Sequence, residues 1–157
     1  MTLYSIFLAC IALSFKHQLT KIKMVLLLTL CISMLLGDAI ENYQIYQLIT
    51  KFDGQSELFN AITSYNYYDI HITWLKLFTW IKWFSIALVF LIIAPLFLNI
   101  KNNVTKAIGL IGISCFLLSI AAFLFHGVMN ELFAMTVSIE FVLLIIFCFI
   151  NKPTASK

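Results

Sequence analysis

The stretch Met24-Val25-Leu26-Leu27-Leu28-Thr29-Leu30-Cys31-Ile32-Ser33-Met34-Leu35-Leu36-Gly37-Asp38-Ala39-Ile40-Glu41-Asn42 decides the fold. Its first part is a continuous uncharged run, too long for a core strand and free of the period-2 alternation of a half-buried one. It ends on two carboxylates and an amide, and no residue of opposite charge stands beside them in the sequence. An isolated charge in hydrocarbon costs about 2.5–3.5 kcal/mol on insertion scales. The partners of Asp38 and Glu41 are therefore expected on other helices of the same bundle.

The rest of the chain has the same character. Of 157 residues, 62% are hydrophobic and 11% are charged, where a soluble domain carries roughly a quarter charged residues. Apolar blocks recur between short polar segments, which predicts an all-α integral membrane protein forming one transmembrane helical-bundle domain. The expected spans are 2–17, 24–46, 74–100, 106–128 and 131–150. Thr2 to Phe15 is short for a crossing of ~30 Å. Five spans are expected, or four should this first block lie only in the interface. Met1 to Phe15 has no basic residue ahead of its apolar core and no small-x-small site after it, so it reads as a retained segment and not a signal peptide.

Lys51 to Ile70 is the longest polar segment and reads as a connection, with a turn at Asp53-Gly54 and a short interfacial helix over 56–61. Trp74, Trp80 and Trp83 read as an aromatic belt, and Pro95 as a kink site. Asn102 and Asn103 mark a tight turn. A second turn is expected from His126-Gly127 to Asn130-Glu131. Gly109, Gly112, Ser114, Ser119, Ala121 and Ala122 form a small-residue stripe that permits close helix approach. A protein partner or a second copy of the chain is expected on the Gly109/Gly112/Ser119 face, and lipid elsewhere.

The net charge of +3 arises from ten lysines, no arginine and seven carboxylates. That balance is too small and too scattered for nucleic acid, but it orients the chain. With five spans, seven lysines fall on one side, and the carboxylates lie on the other or within the membrane toward it. The positive-inside rule then predicts an N-out, C-in protein, with the bacterial inner membrane as the default location.

Counting 1.5 Å per residue from Met24 places Asp38 roughly 21 Å and Glu41 roughly 26 Å across, with Asn42 on the same side as Asp38. Entering the third span at Leu77 puts Lys82 roughly 8 Å deep, at a matching level. An Asp38/Lys82 or Glu41/Lys82 pair is expected. Glu140 lies roughly 13 Å into its span, near the midplane, where an unpaired carboxyl is expected to be neutral, as a hydrogen-bond donor or a proton carrier, the alternative being a neutral acid simply bonded to Ser114, Ser119 or a carbonyl. His126 and Glu131 are expected to complete an outward-facing polar cavity.

Other chemistry is poorly supported. No HxxxH, ExxH or HExxH spacing exists, so no metal is expected, and neither is an organic cofactor. Cys10, Cys31, Cys115 and Cys148 read as small buried hydrophobes. There is no phosphate loop, serine elbow or Cys/His spacing. Five spans at this length, rich in aromatics, are similar in architecture to the tryptophan-rich sensory protein and the sterol-binding and sterol-isomerising bundles. Their proline-containing and tryptophan-rich motifs are absent here, so the resemblance implies no residue roles. The function expected is that of an accessory subunit or a binder of a lipophilic ligand. An acid/base enzyme on a lipid or isoprenoid, and an oligomeric channel or proton-coupled transporter, are the alternatives.

Overall fold

A computed structural model describes the backbone of residues 3–53 and 61–150 and the side chains of 3–50 and 69–150. The described residues fold as α1 Leu3–Ser14, α2 Lys21–Asp53, α3 Ala61–Leu98, α4 Asn103–Phe125 and α5 Val128–Ile150, with no strand among them. Four of these described helices are long and apolar enough to cross a membrane. The exception is α1, whose 12 residues extend about 18 Å against ~30 Å of hydrocarbon.

Consecutive helices pack on one another, α2 on α3, α3 on α4 and α4 on α5, while α1 lies along α2. The end carrying the α1–α2 and α3–α4 connections is called lower here, and the opposite end upper. Phe15 at the end of α1 packs edge-on against Phe97 of α3, with ring centroids 5.2 Å apart. Tyr4, at its start, meets Phe141 of α5 at 6.3 Å. Thus α1 covers the lower and middle bundle and stops near the level of Asp38.

The core is a file of large apolar side chains, among them Leu8, Leu27, Met34, Phe90, Ile93, Phe97, Ile108 and Leu144. Residues seven apart on α4, namely Leu110, Leu117 and Leu124, are all exposed, as are Met135, Val142 and Phe149 on α5. Each set forms one stripe on its helix, the pattern of a lipid-facing surface.

Several boundaries differ from the sequence expectation. The polar segment before His71 is helical from Ala61, so α3 runs 38 residues, and α2 continues to Asp53. Turn-forming composition lost to helix continuation at both places, because a backbone leaving the membrane still satisfies its hydrogen bonds best as a helix. Gly54, positions 56–60 of the expected interfacial helix and the tail from Asn151 lie outside the described residues. Pro95 lies inside α3.

Asn102 caps α4, its side chain accepting from the Val104 N–H at 3.1 Å. The second turn is tighter than expected. His126 closes α4 by donating its N–H to the Ala122 carbonyl at 3.0 Å, Gly127 follows, and α5 begins at Val128. His126 and Gly127 both have positive φ, 52° and 57°, so these two residues complete the reversal that was expected to extend to Glu131. Cys31 and Cys115 are buried as expected, but Cys10 and Cys148 are exposed.

The small-residue face of α4, where a protein partner or second copy was expected, packs against α3 of the same chain. A Cβ on Gly109 would stand 3.0 Å from the Ala94 carbonyl oxygen of α3, and one on Gly112 would stand 3.2 Å from that of Phe90. These glycines set the α3–α4 spacing. Ser119 is buried on the same face.

Candidate functional site

The upper half of the α2–α3 interface is built around Gly37. A Cβ there would meet the Lys82 Cβ at 3.3 Å and the Phe78 carbonyl oxygen at 3.4 Å. With no side chain at Gly37, α3 comes close enough for Lys82 to lie alongside the neighbouring Asp38. Lys82 Nζ is 3.5 Å from Asp38 Oδ1 and also donates to Glu41 Oε2. Asp38 is 3% exposed and Lys82 8%, so this end of the cluster belongs to the protein interior, while Glu41, its side chain 18% exposed, is half-buried.

Further polar contacts extend the cluster. The Thr79 hydroxyl donates to Glu41 Oε1 at 3.1 Å, and above it Gln44 Oε1 meets His71 Nδ1. Asp38, Glu41 and Gln44 recur every three residues on α2, while Lys82 and Thr79 are one turn apart on α3, so the contacts form a ladder up one interface. Tyr4 of α1 brings a buried hydroxyl near enough to feel the charges of Asp38 and Glu41, without a well-formed hydrogen bond. Two carboxylates face one ammonium, and low exposure strengthens the attraction relative to water.

Beside this cluster a cavity of about 370 Å³ opens between α3 and α5, lined by Thr79, Trp80, Trp83, Asn130, Glu131, Phe133 and Ala134. Trp83 packs edge-on against Phe133 at 5.6 Å, and Lys82 Nζ lies 5.9 Å from the Trp83 ring centroid. Trp80 packs against Phe123 of α4 at 5.2 Å. Trp80 and Trp83 are thus partly buried cavity walls and not simple membrane anchors, whereas Trp74 is exposed. Thr79 belongs to both features, lining the cavity and bonding to Glu41.

The predicted site residues therefore fall into separate places. Asp38, Glu41 and Lys82 come together. Glu131 lines the cavity. His126 is exposed, its ring 6.1 Å from that of Trp80, and it does not line the cavity. Asn42 is exposed and outside the charge cluster. Glu140 is fully buried, lower in the bundle and against Gly112, and neither Ser114 nor Ser119 bonds to it. Those hydroxyls donate instead to the Leu110 and Phe116 carbonyls of their own helix.

The reading from sequence missed Thr79, Gln44, Tyr4 and the role of Trp83. The first two were detectable as residues one turn from Lys82 and Glu41 on the same faces. Among the described residues, no group of three or more His, Cys, Asp or Glu is placed to hold a metal ion. No protein family, curated protein or solved structure matches this chain.

Proposed function

We propose that this integral membrane protein is a binding module for an amphiphile, held in the cavity between α3 and α5. The observation that carries this reading is the cavity itself, about 370 Å³ with two indoles, a phenyl ring and three polar residues around it. Ligand sites are commonly 300–1,000 Å³, mostly apolar, with a few polar groups that fix orientation. The head of the amphiphile meets Thr79, Asn130 and Glu131, and its tail follows the apolar exterior of α3 and α5. The Asp38/Glu41/Lys82 cluster stiffens the α3 wall and orients Thr79.

A binding role fits this chemistry better than catalysis. The one ammonium of the cluster is shared by two carboxylates within the protein, leaving no cation free to act on a bound molecule. The lysine distribution favours placing the upper end outside a bacterial inner membrane, with the C-terminus in the cytoplasm. The cavity then opens to the outer leaflet.

Native mass spectrometry from lipid discs tests the reading. The expected result is a monomer retaining one molecule of a defined amphiphile, lost when Ala134→Phe fills the cavity. A bare monomer would overturn it, and a second protein at fixed ratio would make the chain an accessory subunit instead.

A further inference from the structure

Glu140 has no part in the cavity or the charge cluster, and its surroundings differ from those of every other acid among the described side chains. It is 0% exposed, and neither carboxyl oxygen has a hydrogen-bond partner. Val137 and Leu144, one turn away on either side of α5, are buried with it. From α3 comes Phe90, fully buried and packed edge-on against Phe141 at 5.5 Å. From α4 comes Gly112, where a Cβ would stand 3.4 Å from Glu140 Oε1, so the glycine leaves room for the carboxyl.

The titratable neighbour on α4 is Cys115, also fully buried. On α3, Lys82 stands eight residues above Phe90, about 12 Å along the helix, and is occupied by Asp38 and Glu41. From α1, Tyr4 reaches Phe141 beside Glu140, with its hydroxyl toward Asp38. Among the described residues no cation faces the Glu140 carboxyl, and an ionised carboxylate without one is strongly disfavoured in a low-dielectric interior.

The buried face of α4 continues upward from this point. Gly112, Cys115, Ser119 and Ala122 succeed one another at three- and four-residue intervals, all buried, over about 15 Å. The file ends beside Phe123, whose ring meets Trp80 of the cavity wall at 5.2 Å. It is a line of small side chains, two of them polar, and at its lower end Gly112 lies against Phe90 of α3. A stripe of small residues alone would only set helix spacing. Here an unpartnered, fully buried acid is directed into it.

We propose that Glu140 is a proton-binding site in the middle of the bundle, exchanging its proton with water at the upper end when the packed α3 and α4 part transiently along the Gly112–Cys115–Ser119–Ala122 file. The step is an acid dissociation. The carboxyl O–H bond breaks, the proton passes to water, and the bonding pair stays on the carboxylate until a proton returns. Nothing is oxidised or reduced. The inference is independent of the proposed amphiphile and stands if the cavity proves empty.

Infrared difference spectroscopy of the full chain in lipid discs tests it. The wild type is expected to show the carbonyl stretch of a protonated acid at neutral pH, absent from Glu140→Gln, that shifts within minutes of transfer to deuterium oxide. Ser119→Leu, which blocks the file, is expected to slow that shift at least tenfold. Cys115→Val fills it more gently and is expected to slow the shift in the same direction. Absence of the Glu140 band, a band that does not exchange within hours, or exchange unchanged in both blocking variants would each overturn the proposal.

Discussion

Lys82→Met is expected to destabilise the bundle by about 3–5 kcal/mol, the usual cost of removing one partner from a buried ion pair. The substitution keeps the length and apolar stem of the side chain, so packing against Gly37 changes little. It leaves Asp38 and Glu41 facing each other without their cation. An exposed pair would lose about 0–1 kcal/mol, and the two ranges do not overlap.

Restoring neutrality separates charge from shape. The triple variant Asp38→Asn, Glu41→Gln, Lys82→Met is expected to recover most of the loss, because buried ion pairs often contribute little net stability over neutral replacements. Equilibrium unfolding in mixed micelles measures both. A Lys82→Met loss below about 1 kcal/mol would show that the three charges are solvated and not interior.

Gly112→Val has the second large expected effect, a loss of about 1–3 kcal/mol typical of overpacking. A Cβ there stands 3.2 Å from a backbone carbonyl, which moves only if α3 and α4 separate. Helix propensity favours Val over Gly by a few tenths of a kcal/mol, so propensity alone predicts the opposite sign. The same unfolding measurement applies, and Leu110→Val, on the lipid-facing stripe, supplies a comparison expected to change little. Stabilisation by Gly112→Val would mean that α3 does not occupy this face.

The contrast between these two sites shows what was legible in the sequence. The pairing of Lys82 with the α2 acids follows from depth alone, since rise per residue is fixed and a buried charge needs an opposite one. Depth does not give direction around the helix. Glu41 and Asn42 lie three and four residues past Asp38, on either side of it, and one-helix spacing cannot tell which side faces α3. The fold selects Glu41 and leaves Asn42 exposed.

Gly112 was legible as a small residue that permits close approach, but not as one already approached by α3 of its own chain. The same limit applies to the expected polar cavity. Glu131 and His126 were grouped by proximity to one end of their spans, yet side-chain direction assigns the first to the cavity and the second to an exposed turn, while Glu140, expected near the midplane, is enclosed in the interior. The long upper extensions of α2 and α3 were hidden by tyrosine, asparagine and serine, which are compatible with both a loop and a helix that has left the membrane.

The central claim is that the cavity between α3 and α5 selects one amphiphile from the surrounding lipid. The most direct test places the photocrosslinking residue p-benzoylphenylalanine at Trp80, where one aromatic wall of the cavity replaces another, or at Leu110, on the lipid-facing stripe of α4, and compares the captured masses. The account predicts a single defined adduct at Trp80 and a mixture matching the bulk lipid at Leu110. The same mixture at both positions would contradict it.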